Sequence, residues 1–306
     1  MAKSYAILLF CVFIWAGNYL VRQFLLIELN PLFLSAFSLS VISIFFIMVS
    51  FITKSFVKVK PREMVLLGGA AVIGLVANQV FLFTGLTYSS AANASLIFSL
   101  SPIITAFLAG VFLKEKITTR MIIGSLIAIV GIYLVLSVKG QVVFNIGDLL
   151  LFGGAVTFSC NLIFVRLLSK RLSTLIITTY SFILSAVIFD PFILAGTSVE
   201  WNQTFSLWVF AALSVIIGQG ITSLMWNQAM NDVGAAKAAI VLNLQPLMTM
   251  LLDYLIYNTL ITALQMFGVV LVFTGILLST IQMGMFFKNR TIPGNLMVKN
   301  NDTKKM

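Results

Sequence analysis

Hydrophobic residues fall into ten long runs separated by short polar breaks, at 4–25, 31–52, 64–87, 91–113, 117–138, 145–168, 173–195, 205–230, 236–257 and 261–283. Each run approaches the ~20 apolar residues that carry a helix across a ~30 Å hydrocarbon layer. Strands of a membrane barrel would instead show short alternating segments. The pattern predicts an all-α integral membrane protein with ten transmembrane helices. The first run has one basic residue ahead of it and polar Asn18 and Arg22 near its end, which reads as a retained helix rather than a cleaved leader. Residues 284–306 lack apolar periodicity and read as a basic, disordered cytoplasmic tail.

The runs are not independent. Residues 91–137 return as 235–281, 144 positions later, pairing Ala91 with Ala235, Pro102 with Pro246, Ile117 with Ile261, Gly124 with Gly268 and Gly131 with Gly275. Asn18 in the first run pairs with Asn161 in the sixth at an offset of 143. The chain therefore reads as two repeats, 4–138 and 145–283. Five helices is an odd number, so the second repeat enters the membrane inverted relative to the first. Inverted repeats are a transporter architecture with the site near the midplane at the repeat interface. Pro102 and Pro246 fall at the middles of their runs, where an interior proline removes a backbone hydrogen bond. They predict two kinked, gating helices facing each other.

Polar residues inside spans are costly in lipid and should turn toward the bundle interior. Trp15, Asn18 and Arg22 share one face of the first run, and Asn78 and Gln79 lie in the third. Ser95, Ser99 and Pro102 form a stripe in the fourth, with Asn243 equivalent to Ser99 in the ninth. The eighth run carries Gln219, Ser223, Asn227 and Asn231 at steps of four, beside Trp226. Spans 1, 3, 4, 6, 8 and 9 are thus polar-faced, and 2, 5, 7 and 10 read as scaffold. Each polar residue has an alternative reading as an interhelical hydrogen bond, and the paired glycines read as close-packing positions. Asp253 is read as the one acidic residue within a span, at a depth matching Arg22, so an ion pair that breaks on opening is expected between them.

Composition sharpens the picture. The 306 residues are 60% hydrophobic and 9% charged, far from a soluble surface. Net charge is +10, and 17 of the 19 Lys and Arg residues lie on one side of the alternating spans. That bias places both termini in the cytoplasm. It also explains the basic character without nucleic acid. There is no histidine, which excludes His-based metal centres, triads and proton relays, and Cys11 and Cys160 sit inside apolar runs and imply no disulfide framework. No H-E-x-x-H, G-x-S-x-G or phosphate-binding G-x-x-x-x-G-K-[ST] loop occurs, so neither an enzyme nor an ATP-driven pump is indicated, and no cofactor is implied.

The stretches 85–135, FIWAGNYLVRQF (13–24) and IGDLLLFGGAVTFSCNLIFVRLL (146–168) resemble the EamA family of the drug/metabolite transporter superfamily. The resemblance implies two five-helix units, a cytoplasmic membrane and export of small metabolites such as amino acids. Carried to matching positions, it implies a central cavity walled by Trp15, Asn18, Asn78, Gln79, Ser99, Ser223, Trp226, Asn227 and Asn243. One departure is that the family's acidic residue after the proline helix is Glu115 in the first half but Thr259 in the second.

With neutral donors, acceptors and two indoles at the midplane, the expected cargo is a small neutral or zwitterionic solute. Proton antiport through Asp253 and passive facilitation both fit. A non-transporting accessory or flippase-like component is the alternative class. The partners expected are the solute and the bilayer, with homodimerisation left open.

Overall fold

The computed structural model describes residues 2–113, 118–135, 137–138, 141–142, 145–196, 201–233, 241, 244–258 and 262–280. Asn243, Glu115, Thr259 and the tail therefore lie outside the described residues. At Pro102 and Asn227 the backbone is helical and the side chains are not described.

The chain is helical, apart from a hairpin of two-residue strands, β1 (Ser137–Val138) and β2 (Gln141–Val142). The helices are α1 (Ala2–Glu28), α2 (Pro31–Ile52), α3 (Pro61–Tyr88), α4 (Ala91–Phe98), α5 (Ser101–Leu113), α6 (Thr119–Val135), α7 (Ile146–Leu168), α8 (Thr174–Gly196), α9 (205–233), α10 (Gln245–Tyr257) and α11 (Ala263–Thr280). Seven helical stretches among the described residues are long and apolar enough to cross a membrane, counting α4 and α5 as one, and α6 and α11 contain shorter apolar helices.

Starts follow local chemistry. Asn30 accepts from the N–H groups of Leu32 and Phe33 to cap α2, with Pro31 in its first turn. Asn145 and Asp148 form a reciprocal capping box on α7. Pro61 opens α3, where Glu63 takes the Lys60 N–H at 2.8 Å and holds Arg171 from the α7–α8 turn.

Two features depart from continuous helices. First, the 91–113 run is interrupted close to Pro102. The chain turns at Ser99 and Leu100, and Pro102 is the second residue of α5. Pro246 likewise lies in the first turn of α10. A proline costs little there, because the first-turn N–H groups have no intrahelical acceptor. One backbone bond recurs at the repeat offset: Leu100 N–H donates to Ile97 O at 3.1 Å, and Leu244 N–H donates to Val241 O at 3.0 Å. Second, α3 and α9 each contain a π-helical segment, Ala70–Ala77 and Ile216–Ile221, at positions 144 apart within two residues. Such wider turns sit where a helix is re-aimed.

Glycines mark where helices touch backbone to backbone. A Cβ on Gly131 would meet Gly268 O at 2.6 Å, and one on Gly268 would meet Gly131 O at 2.6 Å; Gly275 stands equally close to Gly124 O. These contacts make α6 and α11 the most extensive helix pair. In lipid, where apolar side chains gain nothing by leaving the tails, close approach of this kind drives association. A second reciprocal pair joins the repeats: Gly218 of α9 packs on Asn18 of α1, and Gly74 of α3 packs on Asn161 of α7.

The acidic residues need one correction. Asp190, expected outside the spans, lies buried within α8 and accepts a hydrogen bond from Ser40 Oγ of α2. Asp190 already falls inside the 173–195 run but is grouped with the outer-side acids; the helix continues through Pro191 to Gly196, which keeps Asp190 within the span. Asp253 is therefore not the sole acid in a span.

Candidate functional site

A cavity of about 380 Å³ opens among the C-terminal half of α1, the start of α4, the ends of α6 and α10, and the start of α11. Its polar wall is Gln23, Ser90, Asn93, Asp253 and Gln265. Ile27, Val135 and Met250 supply apolar surface, with Tyr257 at the rim. Toward the N-terminal end of α1 the packing is apolar. There Leu8, Val12, Ala229 and Val241 form a buried cluster, with Trp226, Leu244 and Met248 packed on it.

The break between α3 and α4 positions much of the wall. Ser90 caps α4 by accepting the Asn93 N–H at 3.1 Å, and Gln23 Oε1 of α1 accepts the Ala91 N–H at 3.1 Å. Asp148 of α7, 1% exposed, accepts Ser89 Oγ at 2.6 Å and Asn93 Nδ2 at 3.3 Å. Gln265 is fixed at both ends: Oε1 accepts the Thr262 N–H at 3.0 Å, and Nε2 donates to Val135 O at 3.3 Å.

Of the residues singled out in the sequence, Asp253 is expected as a gate or coupling residue and the others with described side chains, Arg22 and Pro246 apart, as the cavity wall. Asp253 is on the cavity wall. The others with described side chains make contacts elsewhere in the bundle. Trp15 Nε1 donates to Thr222 Oγ1 at 2.8 Å, and its ring lies 4.9 Å from that of Trp226. Asn18 Nδ2 donates to Ser214 O at 3.0 Å, just before the π segment of α9. Asn78 Nδ2 donates to Gly154 O at 2.8 Å across to α7. Ser99 Oγ turns back to Leu96 O, Gln79 is buried at 4% exposure, and Ser223 is half-buried on α9.

The expected Arg22–Asp253 ion pair is not formed among the described residues. The guanidinium of Arg22 lies over the Phe83 ring, 5.1 Å from its centroid. The reason is helical rotation: Gln23 faces the cavity with Asp253, and its neighbour Arg22 is turned about 100° away. Gln23, Ser90, Asn93 and Gln265 were missed because they sit at helix ends, where polar residues are ordinary. The signal available was Asn93, three residues into an apolar run.

A model of the EamA-like transporter family matches the chain twice, over residues 2–137 and 145–281. The chain belongs to this family. It is a multi-pass membrane protein of a transporter family. It is 31% identical over 214 residues to "Uncharacterized transporter YyaM" of Bacillus subtilis (strain 168), covering 67% of this chain and 70% of that one. It is 24% identical over 291 residues to the "Probable amino-acid metabolite efflux pump" of Escherichia coli (strain K12), covering 90% and 93%. A solved crystal structure superposes with a TM-score of 0.65 at 17% identity, covering 92% of this chain and 97% of the other, which speaks to the fold.

Proposed function

We propose that this EamA-family protein is a secondary transporter that exports small neutral or zwitterionic metabolites across the cytoplasmic membrane. It works by alternating access between two inverted repeats of five helices each. The observation that carries the reading is the cavity itself. It is built from both repeats, and a buried apolar cluster packs toward the N-terminal end of α1. Inversion is supported by the contacts that exchange under the repeat offset: Gly131 on Gly268 with Gly124 on Gly275, and Asn18 on Gly218 with Asn161 on Gly74. Equivalent positions touching each other reciprocally is what a twofold axis between repeats requires.

The Lys and Arg bias puts the N-terminus of α1 in the cytoplasm, so the cavity faces outward and the Leu8 cluster forms the inner closure. An aromatic group of Phe33, Phe37, Trp201 and Trp208 at the starts of α2 and α9 fits the outer interface. The E. coli relative's description adds weight to amino-acid metabolites as cargo.

The test is uptake of labelled amino acids into proteoliposomes holding this chain alone, with and without an imposed pH gradient. Saturable flux is expected, falling at least tenfold in Ala92→Phe, which puts a ring where Ala92 of α4 lines the cavity. Stimulation by the gradient identifies proton antiport and indifference identifies facilitation. Absence of flux with every solute, from monodisperse protein, overturns the reading.

A further inference from the structure

Positive charge near span ends sets orientation wherever along those ends it falls, but the fold gathers part of it on one surface. Residues 53–63, which leave α2 and enter α3, and residues 166–171, which close α7 and begin the turn to α8, hold seven Lys and Arg residues against one acid. The two segments come from different repeats and pack together. Val59 packs against the buried cluster that holds Leu168, Leu172 and Ile176, and the Tyr180 hydroxyl of α8 donates to Val57 O at 3.1 Å. The acid, Glu63, is already taken, accepting the Lys60 N–H at 2.8 Å and an Arg171 guanidinium N–H at 2.6 Å.

The turn that ends α2 starts this surface. Lys54 takes φ 50°, in the left-handed region; its N–H donates to Phe51 O at 3.2 Å and the Ser55 N–H to Ser50 O at 3.0 Å, the helix stop that glycine usually makes. A lysine there gives up the conformational ease of glycine and carries a cation instead. Val59 is partly buried, and Lys58 and Lys60 on either side of it are exposed. Lys54, Lys58, Arg62 and Lys170 are exposed cations without an ion pair among the described residues. Beside them lie exposed apolar side chains: Phe51 and Phe56, with rings 4.9 Å apart, and Ile52 and Val65.

We propose that this surface docks an anionic phospholipid, its headgroup phosphate among Lys54, Lys58, Arg62 and Lys170 and its acyl chains along Phe51, Ile52 and Val65. The cations complement a phosphate, and the adjoining apolar side chains complement a chain that a soluble anion lacks. Basic groups at the cytoplasmic ends of membrane helices hold anionic headgroups in this way. In the orientation given above the lipid belongs to the inner leaflet. It bridges the two repeats where Glu63 and Arg171 already join them. Binding needs no cargo and so stands apart from the transport reading.

The experiment is native mass spectrometry of the full chain in an uncharged detergent, offered phosphatidylglycerol, phosphatidylcholine or glycerol 3-phosphate. Expected is retention of phosphatidylglycerol at least tenfold above phosphatidylcholine, with no retention of glycerol 3-phosphate. Lys54→Gln, Lys58→Gln and Arg62→Gln together lower that retention at least tenfold. Lys114→Gln, Lys116→Gln and Arg120→Gln together, an equal loss of charge at another inner segment, leave it within twofold. Equal retention of the two lipids overturns the inference, and so does an equal fall in both triple variants, which marks general charge attraction. Retention of glycerol 3-phosphate as strong as that of the lipid means a soluble anion and also overturns it. Should the first triple variant aggregate, Lys58→Glu alone is expected to lower retention at least threefold, and no fall in it overturns the inference.

Discussion

At the residue scale, the glycines that matter are those facing backbone. Gly275 stands against the carbonyl of Gly124, which cannot rotate away as a side chain could, so a methyl group there forces α6 and α11 apart. Gly68 in α3 has nothing within 4 Å of where a Cβ would lie. Gly275→Ala is expected to destabilise by ~1–3 kcal/mol through overpacking. Gly68→Ala should stabilise by up to ~1 kcal/mol, since alanine orders more cheaply in a helix interior. Thermal unfolding in detergent should separate the two in sign, and a fall in both would refute the packing account. Which glycines these were was partly legible, because Gly124, Gly131, Gly268 and Gly275 recur at the repeat offset.

At the element scale, the π segments of α3 and α9 set which way the polar residues beyond them point. Each π turn holds one residue more than α geometry would, and one residue is worth about 100° of rotation. Asn78 follows directly after Ala77 and reaches Gly154 O on α7, while Thr222 follows Ile221 and receives Trp15 Nε1. Deleting Ile73 should convert the first segment to α-helix and swing Asn78 away from α7. Expected is a membrane-inserted protein with a lowered melting temperature and at least tenfold less flux; unchanged flux would show that the π geometry is dispensable. No hydropathy pattern marks these segments, which read as ordinary apolar helix, and so the faces assigned beyond them by uniform 3.6-residue periodicity were not reliable guides.

At the scale of the whole molecule, the proposed outward-facing state has the cavity lined by Gln23 and Asp253 open to the outside and the Leu8 cluster as its inner closure. Ile27 lines the open end and Met248 packs on the closing cluster. In a background with Cys11 and Cys160 changed to alanine, Ile27→Cys should react with a membrane-impermeant maleimide added to intact cells, and Met248→Cys should not. The reverse pattern would mean that the N-terminus faces outward. Rapid labelling of both would argue against a closed inner end.

The chain alone determined its class, because stretches of about 20 apolar residues with this few charges have no stable home except a bilayer. It also determined the duplication, since sequence identity at a fixed offset needs no coordinates, and it placed Pro102 and Pro246 where the helices are interrupted. The tertiary structure decided which polar residues form the cavity. A polar face announces that a helix needs partners, but an amide is satisfied equally by a neighbouring carbonyl or by a solvent-filled space. Asn18 and Asn78 reach carbonyls on other helices, 196 and 76 positions away in the chain, while Gln23, Asn93, Asp253 and Gln265, each with partners of its own, also line one cavity. That convergence brings together α1, α4, α6, α10 and α11, a packing of distant helices that no single run of residues encodes by itself.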